Sequence, residues 1–286
     1  MAGVPSTEWR CGDQTLRLDD RPYVMGIVNA TPDSFSDGGQ FLQADAAIAH
    51  GMDLCEAGAD ILDVGGESTR PGATAVATAE ELRRVIPVIR KLRDRTDAVI
   101  SVDTTKAAVA AQALEAGACI VNDVSACTGD PQMPRVVSDA GCGVVLMHMQ
   151  GRPRTMQEAP RYEHVVREVR DYLAERAKDM EEAGTASACI ALDPGIGFGK
   201  TLEHNLDLLA GLHELLEIGY PVLLGVSRKR FLGALTGREV GERLAGSLAA
   251  ATYGVVQGAA ILRVHDVAET VDMVKVIRAL QARKAT

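Results

Sequence analysis

The sequence predicts an α/β fold: a (β/α)8 TIM barrel preceded by an N-terminal β-hairpin. Three observations predict it. Short apolar runs alternate with amphipathic helical stretches from Tyr23 nearly to the end. Eight such units occupy a span close to the barrel's typical size of about 250 residues. Each predicted strand also ends beside a polar or charged residue, where a barrel carries its working groups. A doubly wound sheet alternates too, but it usually has fewer strands and opens on a glycine-rich turn. Gly26-Ile27-Val28-Asn29 does not supply that turn.

The elements follow in order. Trp9 to Leu18 holds two short alternating runs around Gly12-Asp13, a hairpin signal that precedes the repeating part and is expected to cover one end of it. The predicted strands are Val24–Val28, Ile61–Val64, Val99–Val102, Cys119–Val121, Val144–Met147, Cys189–Leu192, Val222–Gly225 and Ala259–Leu262. The predicted helices are Ala44–Glu56, Ala79–Asp94, Lys106–Glu115, Met133–Asp139, Glu163–Glu182, Glu203–Leu216, Arg243–Val256 and Val267–Gln281. Gly58, Gly117, Gly141, Gly184 and Gly219 each follow a helix directly, as helix-ending glycines do. No linker or low-complexity stretch interrupts the chain. One domain over residues 1–286 is expected, with the barrel at about 22–282. The longest irregular segment, Gln150 to Arg161, has the length of a lid or binding loop.

Composition narrows the function. With 47% hydrophobic and 24% charged residues, the 286-residue chain is an ordinary globular one. A net charge of -9 argues against a general nucleic-acid surface. No apolar run is long enough to span a membrane. The N-terminal residues lack a basic start and an apolar core, so no signal peptide is expected. The six cysteines form no C-x-x-C pair and sit mostly in apolar segments. They read as reduced core residues of a cytoplasmic protein.

Ile61-Leu62-Asp63-Val64 breaks into Gly65-Gly66-Glu67-Ser68-Thr69-Arg70-Pro71-Gly72, an acid-bearing strand followed by a polar loop. The other strand ends carry Asn29, Asp103, Asn122 with Asp123, His148, Asp193, Ser227-Arg228-Lys229, and Arg263 with His265. The acids and amides come from the middle strands. The cations come from the ends of strands two, seven and eight, and barrels often hold phosphate near the last two. Arginine suits an anion because its planar fork donates paired hydrogen bonds. One end of the rim therefore suits a phosphate-like anion, the other a ligand rich in N–H donors. Blander readings stand beside these: Asp103 and Asp193 as helix caps, Lys229 as a solvated member of Arg228-Lys229-Arg230, and His265 as a surface turn residue. Asp123 reads as pairing within its own loop, and Glu203-His204 as a solvated helix start.

These blocks resemble dihydropteroate synthase, the folate-pathway family. The resemblance is carried by Gly26 to Gly39 (GIVNATPDSFSDGG), Asp63 to Gly72 (DVGGESTRPG), Ser101-Val102-Asp103-Thr104, Val121-Asn122-Asp123, Met147-His148-Met149, Leu192 to Lys200 (LDPGIGFGK), Ser227-Arg228-Lys229 and Arg263 to Asp266 (RVHD). It implies a single pterin-binding barrel domain. The implied reaction is a transfer that condenses 6-hydroxymethyl-7,8-dihydropterin diphosphate with 4-aminobenzoate, releases diphosphate and uses Mg2+. It implies that Asp103, Asn122, Asp193 and Lys229 read the pterin, with Met147 and Phe198 on its faces. Asn29 becomes the metal-linked residue, and Thr69, Arg70, Arg263 and His265 surround the diphosphate. Phe35, Thr69, Pro71, Ser227 and Lys229 surround the aminobenzoate, and Asp37, Asp103, Lys229 and Arg263 act in catalysis. Sulfonamide sensitivity, a homodimer and ordering of the loops 30–39 and 67–72 by Mg2+ and diphosphate are implied as well. A pterin-dependent methyltransferase of similar fold has no use for the cations at Arg70, Arg263 and His265. A silent pterin-binding relative should lack Phe35, Asp37 or Arg70. For a lysine Schiff-base aldolase, Lys229 lies beyond its strand rather than inside it.

Overall fold

The computed structural model describes residues 7–31, 40–68, 72–151 and 155–284. Two short antiparallel strands, β1 (Glu8–Cys11) and β2 (Gln14–Arg17), form the hairpin. The parallel strands are β3 (Tyr23–Asn29), β4 (Ile61–Gly65), β5 (Val99–Asp103), β6 (Ile120–Asp123), β7 (Gly143–Met147), β8 (Ile190–Asp193), β9 (Leu223–Leu224) and β10 (Ile261–Val264). They lie side by side in the order β8-β7-β6-β5-β4-β3-β10-β9. A parallel bridge between Leu192 and Val222 joins the two ends, so the sheet curls into a barrel.

Helices α1 (Gln40–Glu56), α2 (Thr78–Arg93), α3 (Ala107–Glu115), α4 (Met133–Ala140) and α5 (Val165–Glu182) follow the strands in turn. The expected helix over 203–216 is two pieces, α6 (Leu202–Ala210) and α7 (Leu212–Leu216), divided at Gly211. Glycine weakens a helix interior, and here a Cβ would lie 2.9 Å from Val166, so the break lets α5 approach closely. A short helix that the sequence did not announce, α8 (Arg230–Thr236), follows β9. Then come α9 (Leu244–Gln257) and α10 (Val267–Lys284). Among the described residues, no helix is long and apolar enough to cross a membrane.

The side-chain period of two sorts each strand into an inner and an outer set. Leu62, Val64, Ile100, Val102, Val121, Val144, Leu146, Ile190, Leu192, Leu224 and Leu262 join the buried helix faces in one core cluster. Met25, Ile61, Val99, Ile120, Val145, Ala191, Leu223 and Ile261 form a second cluster inside the barrel, together with Trp9, Cys11 and Leu16 of the hairpin. These inner residues lie toward the strand starts. The hairpin therefore plugs the N-terminal mouth, as its sequence position led one to expect. Trp9 is fully buried there and donates its indole N–H to the Cys189 carbonyl at 2.9 Å. Four of the six cysteines are buried, and all six are free thiols.

Candidate active site

Extending the inner set by two or four residues along each strand reaches the other mouth. Ile61 leads to Asp63, Val99 to Ser101 and Asp103, Ile120 to Asn122, Val145 to Met147, Ala191 to Asp193 and Ile261 to Arg263. All seven of these strand-borne polar or sulfur side chains thus share the parity of the barrel interior. Asp63, Asp103, Asn122, Met147 and Asp193 are buried. Asp103 sits beside Asn122 in the register, and Met147 beside Asp193.

Arg263 is the hub of this layer. Its Nε donates to Asp63 Oδ2 at 2.6 Å and its Nη2 to Asp103 Oδ2 at 2.7 Å. Asn122 Nδ2 donates to the same Asp63 oxygen at 3.0 Å. Burial drives the Asp103 carboxyl up to about 7, against the pull of the Arg263 guanidinium and helped by the neighbouring Asp63 charge. Neither Asp103 nor Asp193 is a helix cap. Lys106 occupies the cap position of α3, and Asp193 Oδ1 accepts from the Gly195 N–H at 2.7 Å. Burial raises the Asp193 pKa, and that hydrogen bond and the Lys229 ammonium lower it.

Lys229 is half-buried rather than solvated. Its Nζ lies 4.1 Å from the centre of the Phe198 ring, a cation–π contact. Desolvation takes its pKa down to about 8, opposed by the charge of Asp193. The turn that presents it is held from behind. Arg228 has a left-handed φ of 56°, its N–H donates to Ser247 Oγ at 2.9 Å, and its guanidinium pairs with Asp266. Ser227 Oγ lies 3.1 Å from His265 Nδ1 and accepts the His265 N–H at 3.2 Å, tying the ends of β9 and β10 together. Asn29 ends β3 with an exposed side chain. Phe35, Asp37, Thr69, Arg70 and Pro71 lie outside the described residues, as do the expected loop rearrangements at 32–39 and 69–71.

The wall beside Asp193 is the turn from Pro194 to Lys200. Gly195 and Gly199 adopt φ of 65° and 61° there, and a Cβ on either would lie within 2.4 Å of the His148 or Gln150 carbonyl. Only glycine fits. The irregular segment after β7 folds over this turn. Gln150 bonds both the N–H and the C=O of Arg161, closing the loop's base, and Tyr162 donates to the Gly199 carbonyl at 2.9 Å.

A family model for "pterin binding enzyme" matches residues 25–265. The dihydropteroate synthase of Escherichia coli (strain K12) is 48% identical over 272 residues, covering 95% of this chain and 96% of that one. The chain belongs to the dihydropteroate synthase family. The solved Xanthomonas albilineans dihydropteroate synthase with 4-aminobenzoic acid superimposes with a TM-score of 0.91 at 52% identity, over 97% of this chain and 99% of that one. The same organism's enzyme in complex with 7,8-dihydropteroate gives 0.87 at 50%, over 96% and 99%.

Dihydropteroate synthases share this barrel, and the expected site residues that fall within described segments lie around its C-terminal mouth. Two buried side chains there were missed by sequence reasoning. Asp63 was noted as a strand-end acid but given no role, yet it is fully buried against Arg263. The signal was its parity with Ile61. Lys200 was quoted only as the end of a motif and is 3% exposed. Nothing in its local sequence announces that burial. Asp123 does pair within its own loop, accepting from Ser125 N–H and Oγ–H, and burial takes it up to about 6. His204 completes a capping box with Thr201 at the start of α6, in keeping with having no role at the site.

Proposed function

We propose that this chain is a transferase that condenses 6-hydroxymethyl-7,8-dihydropterin diphosphate with 4-aminobenzoate, forming 7,8-dihydropteroate and diphosphate for folate synthesis. The observation that carries the reading is the convergence of Asp103, Asn122 and Asp193 with Arg263 and Lys229 inside one barrel mouth. Carboxylates and an amide can pair with the amino-pyrimidine edge of a pterin, and a site built to hydrogen-bond such an edge rejects analogues lacking it. Met147 and the Phe198 ring offer apolar surfaces to its flat faces.

The reaction breaks the bond between the pterin methylene carbon and the diphosphate oxygen, and the electron pair leaves with diphosphate. The positive charge left on the pterin-methyl group is stabilised by the acids at the ring, chiefly Asp103. The arylamine lone pair then forms the C–N bond and the nitrogen loses its proton. No protein nucleophile is required. Arg263 spends one Nε and one Nη2 N–H on Asp63 and Asp103, which leaves three of a guanidinium's five N–H groups to share with an anion. With His265, and with Thr69 and Arg70 from the second loop, it forms the diphosphate end of the site. Phe35, Pro71, Thr69, Ser227 and Lys229 form the aminobenzoate end, and Asp37 acts from the first loop.

Mg2+ fits this donor set. The cation usually takes one or two protein oxygens and fills its shell with phosphate oxygens and water. The exposed Asn29 amide at the rim is one such oxygen. When bound, Mg2+ neutralises charge on the departing diphosphate.

We also propose one catalytic domain over residues 1–286 with the barrel at about 22–282, a cytoplasmic location, and a homodimer. Tyr253 and Val256 on α9 and Val276 and Leu280 on α10 are exposed apolar residues on helices that touch, which supports a self-association face. Incubating the chain with both substrates and Mg2+ tests the activity. The product expected by mass spectrometry is 7,8-dihydropteroate, and recovery of unchanged substrates would contradict it.

A further inference from the structure

Among the described residues, no carboxylate is in direct hydrogen-bond contact with the buried Lys200 amine, and burial takes its pKa down to about 7, opposed by the charge of Asp193. The Lys200 Nζ lies 3.0 Å from the Gly195 carbonyl, 3.0 Å from the Phe198 carbonyl and 2.9 Å from His148 Nδ1. An ammonium has three N–H donors, and these three acceptors match them. A fourth contact, to the His148 carbonyl, is longer at 3.4 Å. With Lys200 protonated, His148 accepts at Nδ1 in its neutral Nε2–H tautomer. Burial and the Lys200 charge hold its pKa down to about 3, in keeping with that form.

Two of the three acceptors belong to the turn that delivers ligand contacts. Carbonyls 195 and 198 converge on one point, and without a cation between them their dipoles oppose. The same turn sends the Gly195 N–H to Asp193 Oδ1 at 2.7 Å and carries the Phe198 ring under Lys229. Asn205, itself buried, holds the Gly197 N–H from the α6 side at 2.6 Å, so the outer edge of the turn is pinned separately. The inner edge is held by the Phe198 N–H on the Gly195 carbonyl at 3.0 Å and by Lys200, which adds contacts to both the 195 and 198 carbonyls.

We propose that Lys200 is a positioning residue of the pterin pocket, its ammonium gathering the 194–199 turn so that Asp193 and Phe198 meet the ligand in register. This rests on the pterin reading above. Lys200 touches neither substrate in this assignment. It acts through the turn, and the aminobenzoate end of the site lies on other loops.

The test is Lys200→Met, which keeps the length and apolar stem but removes every donor. Calorimetry with 6-hydroxymethyl-7,8-dihydropterin, diphosphate and Mg2+ should show pterin affinity falling about tenfold or more, as small misplacements of a site cost. The KM for 4-aminobenzoate should stay within about twofold of the parent at saturating pterin diphosphate. His148→Phe removes one acceptor and keeps a ring, and should give a smaller loss in the same direction. This second variant keeps the question open to test if Lys200→Met does not fold. Pterin affinity unchanged in either folded variant would overturn the proposal. So would a loss shared equally by both substrates with a fall in Tm, since that is what a merely structural lysine predicts. A parent that binds no pterin would instead overturn the functional reading itself.

Discussion

Arg263 reaches across the barrel mouth and donates Nε to Asp63 Oδ2 at 2.6 Å, joining two residues 200 positions apart in sequence. Asp63 is fully buried and its other oxygen has no partner among the described atoms. A buried carboxylate is tolerable only when paired. The pair therefore fixes the guanidinium where it also meets Asp103. Asp63→Ala removes both acceptor oxygens, so it should free the Arg263 Nε and loosen this placement. Breaking a buried pair by altering one partner costs roughly 3–5 kcal/mol. Both Tm and kcat/KM should fall, with the larger kinetic loss on the pterin diphosphate. Thermal melts and steady-state kinetics on one preparation check it. An unchanged Tm would mean that the pair does not hold Arg263.

Asp193→Asn offers a cleaner separation of binding from folding. Asparagine keeps an oxygen for the Gly195 N–H, so the turn should survive. The second oxygen becomes an NH2 that faces ligand donors. Leaving such a group mismatched costs about 1–3 kcal/mol, or one to two decades in affinity. Pterin titrations should show this loss with Tm nearly unchanged. Equal affinity would remove Asp193 from the pocket.

The acid-base state of the mouth sets a pH window. The Asp103 carboxyl sits near 7 because it is buried, and Lys229 near 8 because its ammonium is desolvated. If catalysis uses the ionised acid and the protonated lysine, kcat/KM rises through the first and falls through the second. Lys229→Arg keeps the charge at all accessible pH, so the alkaline limb should move upward even if the peak rate drops. A parent-like alkaline limb in that variant would assign it to another group. Lys229→Ala should lower turnover while Tm barely moves.

Most of the fold was legible because it rests on periodicity and punctuation. The alternation of Ile61 with Asp63, or Val99 with Asp103, reports which face looks inward before any contact is known. Trp9 to Leu18 announced a hairpin through two short alternating runs around Gly12-Asp13. What stayed hidden depends on distant partners. The Asp63–Arg263 bond needs β4 and β10 to flank β3, which no local pattern states. Lys200 has the local look of a solvated residue after a glycine run, and only the closure of the turn against His148 buries it. Gly211 was read through as helix, and the reason for a glycine there, the close approach of Val166 from α5, lies on a distant element.

Aminobenzoate should bind weakly on its own and well after diphosphate with Mg2+ is in place. The resemblance implies that residues of the segments 30–39 and 67–72 contact both ligands, and a ligand that must fix backbone on binding loses roughly 1–2 kcal/mol per residue fixed. Charge-assisted bonds to diphosphate are the stronger ones and would offset that loss before aminobenzoate arrives. Sulfonamides, as aminobenzoate mimics, should show the same dependence and compete with that substrate. Calorimetry with and without Mg2+ and diphosphate reads both. Equal affinity in the two conditions would contradict the linkage without touching the reaction itself.

Diphosphate release, followed continuously while each substrate is supplied or withheld, bears most directly on the central claim. The account predicts sustained release only when 4-aminobenzoate and the pterin diphosphate are both present, in amounts equal to the dihydropteroate formed. Release that is as fast without 4-aminobenzoate, or none with both substrates and Mg2+ present, would contradict it.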